Sequence, residues 1–93
     1  MVLEHEQSFL RYPYALQATE VGENNLLLQW QNLETQADQV VVEMGTSKER
    51  FVEYGRVDAT AAEMRIADLE PGTVYYFRLK VVNTDQESDF SSF

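Results

Sequence analysis

Ninety-three residues, 44% of them hydrophobic and 25% charged, fit one small globular domain and leave no room for a second core. Sixteen acidic side chains against seven basic ones give a net charge of −9, which works against binding a phosphate backbone and excludes a nucleic-acid partner from the expectations. Cysteine is absent, which removes disulfides and thiolate chemistry, and no apolar run approaches the roughly 20 residues needed for direct membrane insertion.

The first twelve residues, "MVLEHEQSFLRY", never gather the apolar core of a signal peptide and read as a lead-in, with "SFLRY" as a competing extension of the first strand, leaving 13–93 for the folded domain. From Pro13 onward apolar residues recur at every second position, the period of a half-buried strand. In "YALQATEV" Leu16 and Ala18 share one side, and the turn formers "GENN" follow. "NLLLQWQ" places Leu26, Leu28 and Trp30 on one face with Leu27 and Gln29 on the other, and "QVVVEMG" does the same with Val40, Val42 and Met44. After the polar "GTSKE" comes "RFVEYGRV", a shorter and wetter strand, and "AEMRIADL" turns Met64 and Ile66 inward ahead of Leu69. The longest alternation is "TVYYFRLKVVN", with Tyr75, Phe77, Leu79 and Val81 on one face and Tyr76, Arg78 and Lys80 on the other. Its β-branched and aromatic content favours a strand over a helix. Several strands at short spacing with turn signals between them predict an all-β antiparallel sandwich or barrel.

The stretches "LQW", "VVVEM" and "LEPGTVYYFRLKVVN" together resemble a fibronectin type III domain. Leu69, Pro71, Gly72, Thr73, Tyr75, Phe77, Arg78, Leu79, Val81 and Asn83 fall on that family's most regular motif, Pro13 and Leu16 match its opening, and Trp30 sits where the family keeps its second-strand tryptophan. The resemblance runs from Pro13 to Phe93 and implies an immunoglobulin-like antiparallel two-sheet sandwich of about seven strands. The residues explain why such a fold would keep them. Pro71 fixes φ at the corner, Gly72 accepts a positive φ, and Tyr75 enters ring-first with its hydroxyl reaching back to a backbone group upstream. Trp30 is expected to fill the space between sheets against Val42, Tyr75 and Phe77. "SDFSSF" supplies only the start of the family's last strand, so that strand is expected to be truncated and its open edge either to fray or to invite strand addition, by self-association with another copy or from the lead-in.

Chemistry for catalysis is thin. His5 is the only histidine, so no His-Ser-Asp or Cys-His constellation and no paired imidazoles for zinc can form, and neither an enzyme nor a cofactor is expected. "NTDQESD", residues 83–89, alternates Asp85, Glu87 and Asp89, which reads as a solvated acidic loop with calcium binding as the competing reading. The expected partner-binding face is the outward side of the third and sixth strands, with Val41, Glu43, Tyr76, Arg78 and Lys80, joined by Tyr54 or Phe51 from the next strand. An ordinary cross-strand pair of Glu43 with Arg78 competes with that reading. The resemblance implies a non-catalytic protein interaction or adhesion module of a larger extracellular or cell-surface protein, with an intracellular setting left open. The alternative is a passive spacer between other domains, as in a secreted bacterial enzyme.

Overall fold

The computed structural model describes residues 10–91. Six strands follow one another without a helix among them: β1 Tyr14–Thr19, β2 Leu26–Gln31, β3 Gln39–Ser47, β4 Arg50–Asp58, β5 Glu63–Ile66 and β6 Tyr76–Val82. They form two antiparallel three-stranded sheets, ordered β1-β2-β5 and β4-β3-β6. Alternation dictates the layering, because every second side chain of a strand faces the same side. Leu26, Leu28 and Trp30 of one sheet meet Val40, Val42, Phe77, Leu79 and Val81 of the other, and Ile66 closes the cluster from β5. Leu28, Val40, Val42, Ile66, Leu79 and Val81 are at most 1% exposed, so the two inner faces exclude water from the space between them.

The packed structure begins earlier than Pro13. Leu10 belongs to the core cluster and Pro13 is fully buried, so the end of the expected lead-in is part of the sandwich. The Arg11 N–H donates to Glu34 Oε1 at 2.7 Å and its guanidinium donates to the Leu33 carbonyl, which fastens this segment to the β2–β3 connection. His5 lies outside the described residues.

Two irregularities shape the β3–β4 hairpin. Val42 pairs with Gly55 but Glu43 pairs with Glu53, so Tyr54 is an extra residue on β4, a β-bulge. A second shift lies between Met44 and Ser47, where a Cβ on Gly45 would come within 2.0 Å of the Arg50 carbonyl oxygen. On β1 a shift between Tyr14 and Gln17 coincides with Ala15 at φ 56°, a left-handed conformation that L-residues other than glycine seldom adopt.

No seventh strand forms among the described residues. Its place beside β6 is taken by Glu87–Ser91, which makes a single bridge, Glu87 to Val82, and then departs from strand register. Ser88 stands opposite Val81 and Ser91 opposite Leu79, so three residues of the tail span two of the strand.

Candidate functional site

The outward side of β4-β3-β6 carries the densest set of polar and aromatic contacts. Arg78 on β6 is opposite Glu43 on β3 in the register, and its Nη2 and Nε lie 2.8 and 2.9 Å from Glu43 Oε1. The guanidinium carbon sits 4.2 Å from the centroid of the Phe51 ring and 3.7 Å from that of Phe90. A planar delocalised cation between two aromatic rings keeps its hydrogen-bonding edge free for the carboxylate, so the stack and the ion pair do not compete. Phe51 comes from β4 and Phe90 from the tail, and Arg78 therefore ties three separate segments together. Lys80, two residues on, pairs with Glu87 at 2.7 Å and lies 5.0 Å from the Phe90 ring. Tyr76 has the Lys48 ammonium 5.6 Å from its ring centroid.

Arg56 extends the network along β4. Its guanidinium donates to both oxygens of Glu53 and to Gln39 Oε1. Hydrogen bonding from Arg56 holds the Glu53 carboxyl below its ordinary value, and Lys80 does the same for Glu87. The face is thus a lattice of matched charges on a sheet, with Arg78 and Glu43 its least exposed pair at 28% and 15%.

Two residues expected to be presented on this face are not. Val41 is 1% exposed, because the central strand sets Arg56 and Lys80 on either side of it and their long stems shield a small β-branched residue between them. Tyr54, the extra residue of the bulge, packs against the core and its hydroxyl accepts the Ala67 N–H at 3.1 Å, linking β4 to the end of β5. Glu43, Tyr76, Arg78 and Lys80 do come together there, with Phe51. Phe90 joins them unexpectedly, since the polar "SDFSSF" offers no strand alternation to place its aromatics.

The free edge of β6 is closed over part of its length. Ser88 and Ser91 each donate a backbone N–H to a β6 carbonyl, Val81 and Leu79 respectively, and each accepts the N–H of the same residue on Oγ at 2.9 and 3.0 Å. Serine hydroxyls therefore satisfy buried donors that a partner strand would otherwise pair, and the edge expected to be open at Leu79 and Val81 is covered.

The corner between the sheets is built from the remaining predicted residues. Pro71 and Gly72 are exposed, Gly72 has φ 80°, and the Glu70 N–H donates to the Tyr75 hydroxyl at 2.9 Å. Leu69 packs against the core while its N–H reaches the Asn24 carbonyl at 2.9 Å, so the β1–β2 turn and the β5–β6 connection brace each other. Phe77 is core. Trp30 is 3% exposed among the same cluster, with its indole Nε1 buried and unpartnered among the described residues.

The acidic loop is organised by amide chemistry. Asn83 Oδ1 accepts the N–H groups of Asp85 and Gln86 at 2.9 and 2.8 Å, and its Nδ2 donates to the Gln36 carbonyl. Among the described residues no three carboxylates or imidazoles gather closely enough to hold a metal ion.

Two packed antiparallel sheets, a tyrosine that pins the connection between them and charged groups knitted over an outer face define an immunoglobulin-like β-sandwich module. The family model described as "Fibronectin type III domain" matches residues 11–93, and the chain belongs to that family. Solved structures agree on the fold. A three-domain titin fragment, domains A168–A170, superposes with a TM-score of 0.78 at 20% identity, covering 90% of this chain and 30% of that one. A Fn3-like protein from Clostridium thermocellum gives a TM-score of 0.77 at 22% identity, covering 91% and 88%. A segment of two fibronectin type III domains from chicken tenascin gives 0.78 at 19% identity, covering 88% and 47%. No match was found among curated protein sequences.

Proposed function

We propose that this chain is a non-catalytic interaction module of a larger extracellular or cell-surface protein, presenting Glu43, Tyr76, Arg78 and Lys80 with Phe51 to a protein partner. The observation that carries this reading is the Phe51–Arg78–Phe90 stack. It holds an arginine and aromatic rings in fixed positions at an accessible face, so little side-chain entropy is lost when a partner covers them. Modular use is supported by the likeness to single units of multidomain chains, of which this chain spans 30% and 47% in the titin and tenascin fragments.

A spacer is the second reading, and one observation favours it. Glu43, Glu53 and Glu87 already take Arg78, Arg56 and Lys80, so the face satisfies its own charges without a partner. A photo-crosslinking phenylalanine analogue at position 76 of the full-length protein separates the two. An interaction module gives a discrete adduct from position 76 and none from position 29 on the opposite sheet. Absence of any adduct at 76 favours the spacer.

A further inference from the structure

β1 is fastened at both ends and held lightly between them. Leu10 and Pro13 are buried ahead of it. Beyond it the Gly22 N–H donates to the Asn25 carbonyl at 2.8 Å, and the Leu69 N–H donates to that of Asn24 at 2.9 Å. None of the six residues of β1 is fully buried, and Leu16 alone among them packs a partly buried side chain against the core. Its neighbour β2, by contrast, buries Leu26, Leu27, Leu28 and Trp30.

Backbone strain falls at the same two ends. Among the described residues three non-glycine residues have positive φ, and two of them bracket β1: Ala15 at 56° near its start and Glu20 at 47° just past its end. A Cβ makes that conformation unfavourable, so each holds strain that is released when the strand leaves its place. The Glu20 carboxylate also meets Arg65 of β5 at 3.0 Å, but both side chains are exposed, and a solvated pair of this kind holds weakly.

We propose that β1 is a strap, hinged at Ala15 and Glu20, that lifts as a unit while Leu10–Pro13 and the β1–β2 turn stay in place. Lifting breaks the pairing of Gln17, Ala18 and Thr19 with Gln29, Leu28 and Leu27, and the burial lost from β1 is that of one half-buried leucine. It uncovers the edge of β2, a row of N–H and C=O groups beside Leu27 that the closed strap hides. The sandwich thus covers a leucine-rich edge with a strand that can be removed while the other five remain folded.

The direction of the β2 amides supplies the test. The Trp30 N–H donates to the Ala62 carbonyl, so alternation turns the N–H groups of Leu26, Leu28 and Trp30 toward β5 and those of Leu27 and Gln29 toward β1. Amide hydrogen exchange of the 93-residue chain, followed by NMR, should therefore alternate along β2. Leu27 and Gln29 should be protected about tenfold less than Leu28 and Trp30, or weaker still. Low urea should hardly change these two, because a lifting strap exposes little surface, whereas Val40 and Val42 should follow global unfolding. Ala15→Gly removes the Cβ from the first hinge and should slow exchange at Leu27 and Gln29 by about threefold, the freedom of glycine in the lifted state offsetting part of the gain. Equal protection along β2, the same urea dependence at Leu27 as at Val40, or unchanged exchange in Ala15→Gly would overturn the proposal. Exchange of the Leu69 amide at the rate of Leu27 would overturn it as well, by showing that the turn leaves with the strap.

Discussion

Ser91→Ala removes one oxygen and tests whether the tail is held to β6 by its serines. Leu79 is 0% exposed and Ser91 5%, so the Leu79 N–H that loses Oγ has no water to turn to unless the tail lifts away. Leaving a buried donor unpaired costs about 1–3 kcal/mol, a sizeable part of the roughly 5–15 kcal/mol typical of a domain. At about 2 kcal/mol the thermal midpoint falls by roughly 8–16 °C for a chain of this size. Ser88→Ala should behave alike at Val81, which is also 0% exposed. The double variant should lose less than the sum, because both hydroxyls hold the same segment and its detachment already includes the second loss. Urea unfolding followed by Trp30 fluorescence gives the free energies, and amide exchange at Leu79 and Val81 gives the local effect. A loss below about 0.5 kcal/mol in Ser91→Ala, with Leu79 exchange unchanged, would refute the reasoning, since a stranded buried donor cannot be that cheap.

Tyr75→Phe should destabilise by about 1 kcal/mol and not much more, because the Glu70 N–H it strands lies at an exposed turn where water can replace the hydroxyl. Chemical denaturation checks this, and an unchanged midpoint would remove the hydroxyl from the account of the corner. Acid should loosen the attachment of Leu10–Pro13. The Arg11 N–H holds the Glu34 carboxyl below its ordinary value of 4.5; burial opposes that shift, and the Gln36 N–H and the Arg11 charge add to it. A depressed carboxyl contributes stability that is fully present above the unfolded value and is lost as pH falls from about 4.5 through the lower folded value. Glu34→Gln should therefore be less stable than the parent at pH 7, with a smaller gap at pH 3. Parallel unfolding curves with the same gap at both pH values would contradict this.

Period two in "TVYYFRLKVVN" marks β6 because alternation is backbone geometry, and a tyrosine behind Pro71-Gly72 marks the corner because few residue types tolerate that turn. Alternation assigns a face, however, and says nothing of depth. Val41 and Leu27 both lie on outward sides and both are buried, because neighbours from other strands cover them. Tyr54 illustrates another limit: a bulge inserts one residue and changes the phase of the strand beyond it, with no local signature in "RFVEYGRV". Arg78 with Glu43 was readable from cross-strand register, whereas Phe90 needed the path of the tail. Ser88 and Ser91 look like ordinary polar tail residues until Leu79 and Val81 are seen to lie against them. Leu10 sits in "SFLRY", a stretch short enough to read as lead-in or as strand, and only the packed core shows its depth.

Gly45 sets a limit on how this hairpin can diverge. Gly72 has open space around it, Gly22 would meet the Asn25 side chain at 3.2 Å, and Gly55 would meet only the movable end of Met64. At Gly45 the obstacle is the Arg50 carbonyl, part of the hairpin's own backbone, and no rotamer can step aside. A relative carrying any other residue there must have rebuilt the turn and shifted the strand beyond it. That shift would move Phe51 along the sheet, away from the arginine it now stacks upon. One hydrogen in place of a methyl group thus sets the alignment of a surface several residues away.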